Sequence, residues 1–101
     1  MAERRRQERS AAQVAVRFKG TIVGMTRDVS ASGVYMIVRR EMTIGESIQF
    51  ALDFEGTGTV PLCLCCRGHV VRVERASPGM KGAAVAIETS DLKPANKCRG
   101  W

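Results

Sequence analysis

Short strand-like segments, several of them with alternating apolar and polar residues, recur along most of this chain, and this pattern constrains its fold more than any other feature. In the clearest segment, residues 48–54 (IQFALDF), large apolar side chains occupy every second position. Alternation with a period of two places one set of side chains on each face of a β-strand. Residues 13–20 and 60–66 alternate in the same way, and the short segments at 21–26, 34–38, 69–74 and 82–87 are also interpreted as strands. The sequence therefore predicts an all-β chain of six or seven short antiparallel strands.

Turn signals and chain length favour a small antiparallel barrel or sandwich. The chain has 101 residues, the size of one domain, and its sequences EGTG at 55–58 and SPG at 77–79 are typical of hairpin turns. Closure into a barrel removes exposed strand edges, so we favour the barrel. We assign residues 13–88 to it. Residues 1–12 are expected to form a flexible arginine-rich arm, and residues 89–101, which lack a sustained apolar period, a short irregular tail.

Positive charge is concentrated at the N-terminal end. The formal net charge is +6, and residues 1–40 hold nine basic residues against three acidic ones, whereas residues 41–101 hold seven of each sign. Such a local field suits a phosphate-bearing partner, although it also fits a solvated basic tail. No apolar run approaches the roughly 20 residues of a membrane-spanning helix. No secretory signal follows the charged start, so we expect a cytoplasmic protein without membrane insertion.

Four cysteines raise the question of a metal site. Cys63 and Cys66 have the spacing of a zinc knuckle, and His69 and Cys98 could complete a set of four ligands. Residues three apart in a strand point to opposite faces, however, so this pair should not share a metal. We expect no metal here, and we expect Cys65 and the other cysteines to be buried free thiols that behave as small hydrophobic side chains.

Groups suited to catalysis are sparse in this sequence. His69 is the single histidine and falls in a predicted strand, and Ser30 and Ser32 lack a G-x-S-x-G context. No phosphate-binding or dinucleotide-binding glycine loop is present, and the acidic residues form no recognisable acid–base pair. We therefore expect a binding protein that is not an enzyme and needs no cofactor.

Two short motifs carry groups suited to a guanine nucleotide. Arg5 and Arg9 form an R-x-x-x-R motif, and Asp28, Ser30 and Gly33 form a D-x-S-x-x-G motif in the loop predicted between the second and third strands. Arginine can bind phosphate bidentately, hydrogen-bond the O6/N7 edge of guanine or stack on its ring. A carboxylate can accept hydrogen bonds from guanine N1–H and N2–H₂, and a serine hydroxyl adds a donor or acceptor. A glycine lets the backbone approach a ligand closely.

The two motifs, in this order, resemble those of the PilZ domain family of bacterial cyclic di-GMP receptors. That family combines R-x-x-x-R in an N-terminal arm with D/N-x-S-x-x-G on the surface of a barrel. A later G-x-V-V-R segment at residues 68–72 and a closing strand at residues 82–87 are also similar to the family pattern. The resemblance extends from about residue 3 to residue 88.

The sequence departs from the family pattern in two places. Only 18 residues separate Arg9 from Asp28, slightly fewer than usual in the family, and a shorter first hairpin would accommodate this. Many members also end in a helix packed against the barrel, for which residues 89–101 are poorly suited. The sequence thus leaves open how the end of the barrel is covered, including by a second protomer.

The resemblance implies a cyclic di-GMP receptor or adaptor. It implies ligand contacts from five residues: Arg5, Arg9, Asp28, Ser30 and Gly33. Arg4, Arg6 and Ser32 are secondary candidates for ligand contact. On binding, the arm would fold over the nucleotide and present a changed surface to a downstream protein effector.

Two other functions remain open at this stage. A PilZ-like barrel could act as a protein-interaction module that binds no nucleotide. A small barrel with a basic arm could also bind nucleic acid, but such barrels stack bases on exposed aromatic side chains. Tyr35 is the single candidate among the five aromatic residues, so we expect no DNA or RNA partner. The regulated process, the number of bound nucleotides and homodimerisation are left open.

Overall fold

The computed structural model describes residues 13–54, 61–98 and 100–101, and within these ranges the chain forms a closed barrel of six antiparallel strands. The strands are β1 (Ala15–Phe18), β2 (Thr21–Val29), β3 (Gly33–Val38), β4 (Ser47–Phe54), β5 (Leu62–Ser77) and β6 (Met80–Pro94). Their order around the barrel is β1-β2-β3-β6-β5-β4, and β4 pairs with β1 to close it. The predicted all-β antiparallel barrel is confirmed.

The alternating residues fill the barrel interior as the sequence predicts. Phe50 and Leu52 of β4 and Met36 of β3 are completely buried, and the ring of Phe18 stacks on that of Phe50 with centroids 6.2 Å apart. The side chains between them along each strand face outwards, because successive residues of a strand point to opposite faces. The interior is therefore filled by side chains, and the outer surface is left for binding.

A β-bulge at Gly68 merges two predicted strands into one. The segments predicted at residues 60–66 and 69–74 are parts of the single strand β5, whose pairing with β6 shifts register between Arg67 and Gly68. A Cβ atom at Gly68 would overlap the carbonyl oxygen of Ala86 on β6. A glycine is therefore required for this close approach of two backbones.

We expect Gly68→Ala to destabilise the barrel by about 1–3 kcal/mol, as overpacking does in well-packed interiors. The added methyl group would meet backbone atoms of β6, which cannot move aside as a flexible side chain can. Urea unfolding of the two proteins measures the effect. Gln49→Ala, at an exposed position on the neighbouring strand, is the control and should change stability by less than about 0.5 kcal/mol. Equal unfolding midpoints for all three proteins would contradict the prediction.

Two strands extend beyond their predicted ends. β2 continues to Val29, so Asp28 lies on a strand and not in the loop predicted over residues 27–33. β6 continues to Pro94, so the irregular tail predicted over residues 89–101 is shorter than predicted. The reason is that residues 89–94, although polar, pair with the N-terminal half of β5, and backbone pairing does not require apolar side chains.

A short 3-10 helix, Ala95–Lys97, follows β6. The chain then turns back over the outside of the barrel, where the Gly20 N–H donates a hydrogen bond to the carbonyl oxygen of Trp101 at 2.7 Å. No helical segment in the described part of the chain has the length and apolarity to cross a membrane. The predicted arm, residues 1–12, and the predicted turn at residues 55–58 lie outside the described residues.

Candidate functional site

A shallow depression on the outside of the barrel contains the D-x-S-x-x-G motif. Its floor consists of the small side chains Ala84 and Ala86 of β6, and its walls include Tyr35 of β3 and Arg72 of β5. We call it the motif depression. It encloses about 550 Å³, within the roughly 300–1,000 Å³ of typical small-molecule sites. A flat floor of small side chains leaves room for a planar group to lie on the sheet.

A bulge in β2 directs Asp28 into this depression. Thr26 is buried and pairs with Met36 of the core, so strict alternation would place Asp28 on the same inward face. The β2–β3 register shifts between Thr26 and Asp28, and as a result Asp28 pairs with the outward-facing Tyr35. Paired residues of antiparallel strands share a face, so the bulge turns the Asp28 carboxylate outwards. Arg27, the extra residue of the bulge, is exposed at the same place.

The turn between β2 and β3 is held by its own hydrogen bonds. The backbone N–H of Ser30 donates to the Gly33 carbonyl at 2.8 Å, and the Ser30 hydroxyl donates to the same oxygen at 3.2 Å. The Ile87 N–H donates to the Ser32 carbonyl at 2.9 Å, which fixes the turn to β6. A Cβ atom at Gly33 would lie 3.1 Å from the Val85 carbonyl oxygen, so glycine allows this tight packing. These hydrogen bonds and this packing fix the positions of Ser30, Ser32 and Gly33 relative to β6.

Charged residues outside the two motifs complete the walls of the motif depression. The Tyr35 hydroxyl donates a hydrogen bond to the Glu74 carboxylate, and the Arg27 guanidinium lies over the Tyr35 ring, 4.9 Å from its centroid. Arg72 is 3.8 Å from the same Glu74 carboxylate. Burial, followed by the hydrogen bond and the charge of Glu74, raises the pKa of Tyr35 above its ordinary value. The depression therefore contains two guanidinium groups and the Tyr35 hydroxyl, together with the carboxylates of Glu74 and Asp28.

The structure brings together part of the predicted site. Asp28, Ser30, Ser32 and Gly33 all line the motif depression. The other four predicted site residues, Arg4, Arg5, Arg6 and Arg9, lie outside the described residues. The meeting of the two motifs therefore stays a prediction.

Sequence reasoning did not assign Arg27, Arg72 or Glu74 to the site. The three belong to two strands that are not adjacent in the barrel, and the sheet register brings them around Tyr35. The sequence carries no signal for these residues, because the inward position of Thr26 and the bulge at Arg27 follow from the pairing of β2 with β3.

The cysteines are arranged differently from the zinc-knuckle set considered from the sequence. Cys66 faces the barrel core, where burial raises the pKa of its thiol to about 12. His69 pairs instead with Glu88, with 2.7 Å between Nδ1 and Oε2. Cys63 and Cys66 therefore lie on opposite faces of β5, as the strand geometry predicts.

The C-terminal segment brings a cysteine onto the outer face of β5. Cys98 lies over Cys63 and is paired with it in a disulfide whose Cα atoms are 6.6 Å apart. The prediction of buried free thiols is confirmed for Cys65 and Cys66 and wrong for the other two. The reason is a contact between residues 35 positions apart, which depends on how the chain turns back after β6.

Comparison with known proteins identifies the family. A family model described as PilZ domain matches residues 3–97, a range that contains both motifs and all six strands. No curated protein and no solved structure matches the chain significantly. PilZ domains are cyclic di-GMP receptor domains of second-messenger signalling and are not known as a catalytic family. The chain therefore belongs to the PilZ domain family.

Proposed function

We propose that this protein is a cytoplasmic cyclic di-GMP receptor that passes the signal to a protein partner. The observation that carries the proposal is the bulge in β2, which sets the Asp28 carboxylate beside Tyr35 above a floor of small side chains. Thr26 is buried, whereas Asp28, just after the bulge, faces outwards next to a turn that is held by hydrogen bonds. An aspartate in such a position is suited to ligand recognition.

The chemistry of the motif depression fits one guanine with its phosphate. The Asp28 carboxylate can accept hydrogen bonds from guanine N1–H and N2–H₂, and a guanine ring can lie flat over Ala84 and Ala86. Arg27 and Arg72 carry positive charge at the rim and can offset the charge of a phosphate. These groups distinguish guanine from adenine, because adenine lacks the paired donors that a carboxylate accepts.

Arg5 and Arg9 supply the remaining contacts in this proposal. Arginine forks can bind the phosphates and the O6/N7 edges of the guanines, which the described part of the depression does not fully surround. Once the phosphates offset the charge of these arginines, the arm changes conformation and the outer surface changes with it. A partner that recognises the changed surface then receives the signal.

Calorimetric titration of the whole chain with cyclic di-GMP tests the proposal. We expect micromolar or tighter binding of cyclic di-GMP and no binding of GTP or cyclic GMP at the same concentrations. The stoichiometry reports whether one nucleotide or a stacked pair occupies the site. Absence of heat, together with an unchanged melting temperature, would reject the receptor function and favour a protein-interaction module.

We expect Arg9→Ala to weaken cyclic di-GMP binding by roughly 10- to 100-fold, since a hydrogen bond to a charged group contributes about 1.5–3 kcal/mol. The matched control is Arg39→Ala, which removes an equal charge from an exposed position beyond the far end of β3. Titration at two salt concentrations separates a direct contact between Arg9 and the nucleotide from a general electrostatic attraction, which salt weakens. If the two variants bind cyclic di-GMP with equal affinity, Arg9 is not a contact residue of the site.

We expect Gly82→Ala to weaken cyclic di-GMP binding by about tenfold, or about 1.4 kcal/mol. A Cβ atom at Gly82 would overlap the Tyr35 hydroxyl, so the ring must leave its place against Glu74 and Arg27. The control is the double variant with Tyr35→Ala, which removes the overlapping ring. If displacement of Tyr35 is the cause, the two effects on affinity are not additive. Additive effects would show that Gly82→Ala weakens binding independently of Tyr35.

A further inference from the structure

Three sulfur atoms meet on the outer face of β5, away from the motif depression. Cys63 and Cys65 are two positions apart on the same face of the strand, and Cys98 reaches them from the segment after β6. All three Sγ atoms lie within 4.8 Å of one another, and those of Cys63 and Cys65 are 3.9 Å apart. The three residues are at most 5% exposed, and Trp101 packs against them.

We propose that the reduced form of this three-cysteine cluster binds one Cu(I) ion through three thiolates. With metal–sulfur bonds of about 2.3 Å, three sulfurs around a planar centre are about 4 Å apart. The 3.9 Å between the Sγ atoms of Cys63 and Cys65 already corresponds to this spacing. Cys98 is bonded to Cys63 and lies 2.9 Å from the Sγ atom of Cys65, so after reduction the C-terminal segment must move the Cys98 sulfur away from both to complete the triangle.

The number of ligands favours Cu(I) over other thiophilic metals. Within residues 13–54, 61–98 and 100–101, the group contains three cysteines and no histidine, aspartate or glutamate. Closed zinc sites almost always have four ligands, and iron–sulfur clusters are held by four cysteines. Soft thiolates also select Cu(I), which accepts three ligands in a plane. A buried set of three sulfurs therefore matches this ion best.

Basic side chains around the cluster suit a site of net negative charge. Three thiolates and one Cu(I) carry two negative charges in total. Lys93 is the β6 partner of Cys63, and its Nζ lies 5.9 Å from the centre of the Trp101 ring. The Arg67 guanidinium lies 5.5 Å from the same ring. Asp91, the β6 partner of Cys65, lies 3.8 Å from the Lys93 ammonium, so these cations would offset only part of the charge that the thiolates bring into a buried place.

Metal binding requires the Cys63–Cys98 disulfide to be reduced first. Two molecules of a small thiol such as glutathione donate two electrons and two protons, become one disulfide, and leave two protein thiols. Cu(I) then replaces the thiol protons of Cys63, Cys65 and Cys98, and three protons pass to the buffer. The disulfide and the copper site use the same sulfurs, so they exclude one another.

The test is an anaerobic titration of the whole chain with Cu(I), after reduction by a phosphine and its removal, in competition with a coloured Cu(I) chelator. We expect one Cu(I) per chain and an absorption band from thiolate-to-copper charge transfer. Cys65→Ser should lose affinity by more than the roughly 10- to 100-fold that loss of an outer-shell partner costs. Cys65→Ala should show the same loss without adding a polar group to a buried position.

Cys66→Ala is the matched control, because it removes a buried thiol of the same strand that faces the core. It should keep the wild-type affinity, and circular dichroism establishes that each variant is folded. The proposal is overturned if the wild type yields Cu(I) to the chelator as readily as the Cys65 variants do. It is also overturned if Cys66→Ala loses as much affinity, or if Zn(II) displaces Cu(I) from the three sulfurs.

Discussion

Replacing Asp28 by alanine is expected to weaken cyclic di-GMP binding by roughly 10- to 100-fold, the equivalent of about 1.5–3 kcal/mol. The bulge in β2 turns this carboxylate out beside Tyr35, where guanine N1–H and N2–H₂ can donate to it. Without the carboxylate, these two donors would be taken out of water and left without an acceptor. The loss should therefore exceed that of an exposed hydrogen bond, and calorimetric titration measures it.

Two variants sharpen the Asp28 experiment. Asp28→Asn keeps one acceptor oxygen and is expected to retain more affinity than Asp28→Ala, in line with the D/N choice at this position of the family motif. Asp91→Ala removes an exposed carboxylate elsewhere on the barrel and should leave affinity unchanged. Urea unfolding of each variant separates loss of binding from loss of fold. A folded Asp28→Ala protein with wild-type affinity would show that Asp28 does not contact the nucleotide.

Phe50→Ala is expected to lower the free energy of unfolding by about 3–5 kcal/mol. Phe50 is completely buried at the centre of the barrel and stacks on Phe18, so truncation removes apolar contacts and leaves a cavity between strands. The closed sheet can collapse onto that cavity only in part, because its backbone hydrogen bonds fix the distances between strands. A domain with a typical stability of about 5–15 kcal/mol would lose a large share of it.

Urea unfolding followed by circular dichroism and by tryptophan fluorescence measures the Phe50 effect. Ile44→Ala is the control, since Ile44 is a large apolar residue that is 64% exposed, and its truncation should change stability by less than about 0.5 kcal/mol. Similar losses in the two variants would mean that Phe50 is not part of a close-packed interior.

The interior of the barrel could be predicted from the sequence because it depends on local alternation. Residues 48–54 alternate between apolar and polar side chains, residues 34–38 form a short apolar run, and both segments lie in strands whose inward side chains fill the core. The two motifs likewise pointed to the family, and the family model covers both. These features follow from short stretches of chain, each of which carries its own signal.

Features that depend on the pairing of distant segments could not be predicted in the same way. The bulge that turns Asp28 outwards is a property of the register between two strands, and the sequence of one strand does not contain it. The placement of Arg72 beside Tyr35 depends on a register across β6. The largely polar residues 89–94 pair with β5 through their backbone, so their sequence has no apolar alternation that would predict a strand.

The shortest strand of the barrel, β1, forms with β4 the seam at which we expect the sheet to open most easily. It has four residues and meets β4 through three residue pairs, with Arg17 and Asp53 joined across the seam by an ion pair. Local opening costs least where the fewest backbone hydrogen bonds break, so amide protons of β1 should exchange with solvent before those of β5 and β6. In the sequence, Arg5 and Arg9 precede β1 by only a few residues. If they hold the nucleotide as proposed, we expect amide exchange in β1 to slow on binding, so that ligand occupancy stabilises the weakest strand pairing of the barrel.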